Sequence, residues 1–242
     1  MSRVAGADRT VDAGAVACRL AVVRERIAAA GRHPSEVVFV AVTKGFGPDA
    51  VDAAGAAGLA DVGENYAQEL AGKWEATGGA GGGGERRWHF LGRVQRNKVR
   101  AIAPAVDLWQ GVDRAAAGEE IARRAPGAGV LVQVNIDIDA PEATGDDRRN
   151  GCRADEVPAL VELLAELGLH VRGLMAVGPP GPPELARPGF RKVAALADRL
   201  GLRERSMGMT DDLGVAVEEG STMVRVGRGL FGARPVAPQT RR

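Results

Sequence analysis

The stretch Val37-Val38-Phe39-Val40-Ala41-Val42-Thr43-Lys44 decides how this chain of 242 residues is read. Six consecutive apolar residues leave no polar face. A strand carries such a run when both faces are covered, as in a parallel sheet flanked by helices. Upstream, Pro34 and Ser35 separate the run from Asp12 to Ala30, where Val16, Leu20, Val23 and Ile27 recur at helical spacing and Gly31 supplies a stop. Downstream, helical patterns near 48–58, 65–76, 94–103, 113–125, 153–167, 184–200 and 212–220 separate strand-like runs near 60–63, 87–92, 106–110, 129–136, 170–177, 204–208 and 222–227. Eight strands with a helix between each successive pair predict an α/β protein, a single (β/α)8 TIM barrel with an extra N-terminal helix. An open doubly wound sheet is the alternative. One domain is expected over 1–242, with its core at about 12–234 and a loose tail at 235–242.

Composition narrows the function classes. Lys plus Arg is 32 and Asp plus Glu is 31, so no bulk field marks a nucleic-acid or anionic-membrane binder. Hydrophobic residues make up 45% and mean hydropathy is −0.10, the balance of an ordinary globular protein. The apolar stretch Ala15 to Val23 is broken by Arg19, and no run approaches the ~18 apolar residues needed to cross a bilayer. Two cysteines, Cys18 and Cys152, suit neither a disulfide framework nor a metal site, and a cytoplasmic location is expected. Only four of the basic residues are lysines, Lys44, Lys73, Lys98 and Lys192. GC-rich coding accounts for most of that bias, yet it makes each retained lysine worth a question.

In a parallel barrel, functional groups collect where the strands end. Strand one ends VAVTKGF, which puts Lys44 at the rim. An amine partly desolvated there has a lowered pKa and can attack an aldehyde, although a solvated or ion-paired rim lysine is the plainer alternative. Glu64 and Asn65 follow strand two and either hydrogen-bond a ligand or cap the next helix. Strand three ends WHFLGRVQRNK, where His89 sits among apolar neighbours as a core histidine does. The last two strands read RSMGMTDD and GSTMVRVGRGLFG. Loops after these strands, with Ser206, Thr210, Gly227 and Gly229, suit backbone recognition of a phosphate, or are plain turns. Arg225 lies inside an apolar run and therefore needs a partner. Gly78 to Gly84 has no phosphate-loop Lys-Ser/Thr and reads as a flexible connection, while Gly178-Pro-Pro-Gly-Pro-Pro183 reads as a stiff rim loop.

Taken in order, VAVTK, GENYAQE, WHFLGRVQRNK, SMGMTDD and GSTMVRVGRGLFG resemble the pyridoxal phosphate homeostasis protein family, relatives of the alanine racemase barrel, over about residues 37–234. The resemblance implies a type III pyridoxal-phosphate fold. It implies pyridoxal 5'-phosphate held as a Schiff base on Lys44, with Arg225 facing the pyridine nitrogen, Ser206 and the Gly227 turn at the phosphate, and Asn65 beside the cofactor. Met207, Thr210, Arg228 and His89 complete the expected cofactor set; no catalytic or metal residue is assigned. Arg228 stands where the family usually has a small hydroxyl residue, and NIDIDAPEATGDD lacks the lysine that many members carry after strand five.

The function so implied is cofactor buffering or delivery to pyridoxal-phosphate-dependent apo-enzymes rather than turnover, by a protein that is often monomeric in the family. Arg225 can only donate, which favours an unprotonated ring nitrogen and weakens the electron sink that turnover needs. One barrel fills the length given, and Tyr66 is the only tyrosine, whereas a racemase of this type uses a second acid/base from another domain. A racemase or lyase, and a barrel with a weakly binding vestigial site, remain the alternatives.

Overall fold

The structure, a computed structural model, describes residues 10–79, 86–137 and 150–234. Its strands are β1 (Val38–Val42), β2 (Asp61–Glu64), β3 (Arg87–Phe90), β4 (Leu108–Val112), β5 (Gly129–Val134), β6 (His170–Ala176), β7 (Glu204–Ser206) and β8 (Met223–Val226). All pair in parallel and in chain order, and β8 returns to β1 with Val38 opposite Met223 and Val40 opposite Arg225, closing the barrel. The open-sheet alternative is thereby set aside. Strand β7 ends earlier than its apolar pattern because Gly208, at φ +90°, turns the chain toward the next helix.

The helices α1 (Ala13–Ala29), α2 (Pro48–Ala56), α3 (Ala67–Ala76), α4 (Arg96–Ile102), α5 (Ala115–Arg124), α6 (Val157–Glu166), α7 (Arg187–Arg199), α8 (Leu213–Glu218) and α9 (Arg228–Phe231) form the outer layer. Helix α1 is the element beyond the repeat. The Asp12 carboxylate accepts from the Ala15 N–H at 2.7 Å to start it, and Gly31 at φ +80° ends it. Its buried Val16, Leu20, Val23 and Ile27 pack it across α2, α8 and α9. Burial of each such side chain is worth about 1.5–3 kcal/mol.

Most of the core lies between barrel wall and helices, where Trp109 and Phe190 are fully buried. The barrel interior is filled by Val40, Leu108, Leu131, Met175 and Met223. The expected flexible connection Gly78 to Gly84 lies largely outside the described residues, as do the tail and most of the lysine-free loop after β5. Both cysteines are free thiols, and burial pushes Cys152 up to about 12, so it stays protonated. Among the described residues no helix is long and apolar enough to cross a membrane.

Candidate functional site

Lys44 is the second residue past β1, half-buried at the rim where the chain turns toward α2. The turn is held from outside the barrel. Alternation points Thr43 away from the axis, toward α3, where Glu64 from the end of β2 and Lys73 are both buried. Thr43 Oγ1 donates to Glu64 Oε1 at 2.6 Å, and Lys73 Nζ makes a short ion pair with the same oxygen. Lys73 Nζ also donates to the Thr43 carbonyl at 2.8 Å, while Glu69 Oε2 accepts from the Gly45 N–H at 2.8 Å. The peptide groups on both sides of Lys44 are thus tied to α3. Burial pushes the Glu64 carboxyl up, opposed by the Lys73 charge and its hydrogen bond.

The Lys44 ammonium itself has no ion pair among the described residues. Burial lowers its pKa, the Arg234 and Arg225 charges lower it further, and Glu64 and Glu69 oppose them. More of the amine is therefore unprotonated near neutral pH than in an ordinary lysine, as a nucleophile toward a carbonyl requires.

On β8, the strand paired with β1, Arg225 is 4% exposed. Its Nη1 donates to the Ser206 carbonyl at 2.5 Å and the Ser206 hydroxyl at 2.8 Å, and Nη2 donates to the Ala176 carbonyl at 2.7 Å. All three acceptors are neutral. Burial pulls Arg225 down to about 10 although Asp212 opposes this, so the group remains a cation at neutral pH. A guanidinium has five N–H donors, and the remaining two find no acceptor among the described residues. A buried cation without a carboxylate in contact is costly in isolation and suits an anionic or electron-rich ligand.

Beside Arg225, Gly227 leads into α9, whose first N–H groups have no intrahelical partner. Thr210 Oγ1 accepts from the Gly229 N–H at 3.1 Å, which leaves its own hydrogen to donate. A Cβ on Gly229 would lie 2.9 Å from Val226, so the close turn depends on glycine there. Arg228 is turned outward into an exposed ion pair with Asp211. Asn65 is half-buried one residue past β2, and its amide has no partner among the described residues.

Three expected residues do different work. The Ser206 hydroxyl accepts from Arg225 and spends its only hydrogen on Gln110 Oε1, at 2.6 Å, so it has none to offer a phosphate. His89 lies inside the barrel between Asp61 and Gln110, away from the rim. Met207, next to Ser206 on the opposite face, is packed between wall and helices rather than at the mouth. The rim loop Gly178–Pro183 borders a cavity of about 520 Å³ over the ends of β5 and β6, lined also by Gln133, Asn135, Met209 and Asp212 and by neither Lys44 nor Arg225. Among the described residues, no cluster of His, Cys, Asp and Glu could hold a metal ion. Lys73, Glu69 and Gln110 were not expected at the site from the sequence. Lys73 carried a signal as one of four lysines, and Gln110 as the lone polar side chain in the apolar run Leu108–Val112.

A family model described as the alanine racemase N-terminal domain matches residues 11–235. A protein of Pseudomonas aeruginosa named pyridoxal phosphate homeostasis protein is 39% identical over 220 residues, covering 88% of this chain and 91% of its own. The chain belongs to the pyridoxal phosphate homeostasis protein family. A member of that name from Escherichia coli K12 is 34% identical over 238 residues, covering 90% of this chain and 97% of its own. Among solved structures, PipY of Synechococcus elongatus with PLP bound superposes with a TM-score of 0.73 at 30% identity, covering 90% of this chain and all of that one. Alanine racemase from Corynebacterium glutamicum, 17% identical with a TM-score of 0.68, covers 94% of this chain and 64% of its own and shows the shared barrel alone.

Proposed function

We propose that this member of the family binds pyridoxal 5'-phosphate at the mouth of the barrel and holds it for buffering or transfer to apo-enzymes rather than for turnover. The observation that carries the reading is the pairing of a reactive amine with a buried cation. Lys44 has a lowered pKa, and Arg225 keeps two donors to spare in a pocket without a contacting carboxylate. That donor set fits the cofactor: an amine for its aldehyde, a guanidinium for its ring nitrogen, and the Arg228 N–H with the Thr210 hydroxyl for its phosphate. The naming of the relatives and the PLP-bound PipY support the same choice.

When bound, the cofactor supplies an aldehyde that joins Lys44 Nζ as a Schiff base with loss of one water. The chain's own residues do the rest. The α3 clamp holds the Lys44 turn, and burial, with the Arg234 and Arg225 charges, lowers the pKa of its amine. Arg225 can only donate, so a ring nitrogen placed against it would accept and stay unprotonated, which leaves a weak electron sink. Holding the cofactor is favoured over carbanion chemistry. Titration with pyridoxal 5'-phosphate, followed by absorbance, tests the reading. A visible band that appears in the unaltered protein and is absent from Lys44→Ala is expected; a band that survives Lys44→Ala overturns it.

A further inference from the structure

Gln110 is wholly buried, and its two ends touch different partners on different walls of the barrel. Its Nε2 lies 2.7 Å from His89 Nδ1 on β3, and its Oε1 lies 2.6 Å from Ser206 Oγ on β7. Neighbouring strands cannot bring β4 and β7 together, so this bond crosses the interior. His89 Nε2 in turn lies 2.9 Å from Asp61 Oδ1, and Asp61 is also bound by Arg87 Nε at 2.8 Å and Nη2 at 2.6 Å. One unbroken line therefore runs from Arg225 at the mouth through Ser206, Gln110 and His89 to Asp61 near the floor.

The chemistry of the two ends fixes the sense of every bond between them. Arg225 can only donate, so Ser206 Oγ accepts and must pass its single hydrogen to Gln110 Oε1. The Gln110 amide then faces His89 Nδ1 with N–H, which makes Nδ1 an acceptor and puts the imidazole hydrogen on Nε2, facing the Asp61 carboxylate. All four bonds point the same way, from cation to anion, and hydrogen bonds so aligned polarise one another. Of the apolar residues filling the interior, Met223 touches the line, with its sulfur 3.1 Å from Gln110 Nε2.

We infer that Gln110 and His89 are positioning residues: through the Ser206 hydroxyl they fix the Arg225 guanidinium and so set the donor face it turns to the ring nitrogen of the bound cofactor. The last clause rests on the proposed cofactor reading, whereas the orientation of Arg225 does not.

The experiment uses the full chain labelled with ¹⁵N, first without cofactor. The His89 nitrogens are expected to show a neutral imidazole carrying hydrogen on Nε2, and the Arg225 guanidinium hydrogens to exchange slowly. In Gln110→Leu, close in volume but unable to hydrogen-bond, that exchange is expected to rise by about tenfold, the equivalent of one lost hydrogen bond. Gln110→Glu, which can still accept from Ser206, is expected to restore most of the protection. With pyridoxal 5'-phosphate added, Gln110→Leu is expected to keep the attachment at Lys44 but to change the ratio of the cofactor's long- and short-wavelength bands. Unchanged exchange and an unchanged band ratio in Gln110→Leu overturn the inference and leave the cofactor reading standing. Should that variant fail to fold, hydrogen on Nδ1 in the unaltered protein overturns it alone. Absence of any cofactor band in the unaltered protein defeats the cofactor reading instead, and the exchange and tautomer data still decide the relay.

Discussion

The two corners of the barrel mouth handle buried charge in opposite ways. Where β1 and β2 meet α3, the Lys73 ammonium is matched on the spot by Glu64 and Glu69, and the pair spends its remaining hydrogen bonds on the backbone around Lys44. Where β7 meets β8, the Arg225 guanidinium has only the neutral oxygens of Ser206 and Ala176, and donors remain unspent. The first corner has its charges matched in place, with only Glu64 Oε2 left without a partner among the described residues, and works as scaffold. The second stays unsatisfied until something electron-rich arrives, which is what a binding site requires.

The sharpest way to break this comparison is to remove one cation from each corner. Lys73→Met strands a buried Glu64 carboxylate and should cost about 3–5 kcal/mol in urea denaturation. Arg225→Met removes a cation that has no anion in contact, so its stability cost should be smaller, about 1–3 kcal/mol for the carbonyls left unpaired. Its affinity for pyridoxal 5'-phosphate, measured by fluorescence titration, should nevertheless fall by about tenfold or more, the worth of a hydrogen bond from a charged donor. Equal stability costs, or an unchanged affinity in Arg225→Met, would erase the distinction between the corners.

A smaller effect is expected at the floor, where the relay ends. Burial alone would raise Asp61, but hydrogen bonds from His89 and Arg87 outweigh it and bring the carboxyl to about 2, against 3.8 for a free side chain. A depressed carboxyl stabilises the fold above its unfolded pKa and loses that contribution as pH falls through its folded one. Unfolding midpoints should therefore drop between pH 4 and pH 2 by the equivalent of about 1–2 kcal/mol, and Asp61→Asn should flatten that slope. The smallest effect belongs to exposed Arg234. Arg234→Ala should move the pH at which Lys44 begins to react upward, toward ordinary lysine behaviour, and added salt should shrink the difference.

Much of the frame was legible in the sequence because the physics of the strands is local. A run such as Val37–Val42 has one stable setting, covered on both faces, and its recurrence between helical patterns led to the closed barrel. Arg225 was legible for the same reason, since a charge inside an apolar run has to be accounted for. Lys44 was found from its place at a strand end, and the scarcity of lysine drew attention to it. What the sequence concealed depends on contacts across the fold. Gln110 and Ser206 are 96 residues apart and meet only once the barrel has closed. That contact turned Ser206 from an expected phosphate ligand into a link beneath Arg225. Alternation alone could have moved Met207 away from the mouth, had the ends of β7 been known to within a residue. The outward turn of Arg228 is set by Asp211, a neighbour no pattern in the chain announces.

The central claim, that Lys44 is the point of attachment, is tested most directly by reducing the pyridoxal 5'-phosphate-treated protein with borohydride and mapping the labelled peptide by mass. A single label on the peptide carrying Lys44, absent from Lys44→Ala, is expected. Label on Lys73, Lys98 or Lys192 in place of Lys44, or no label at all, would contradict it.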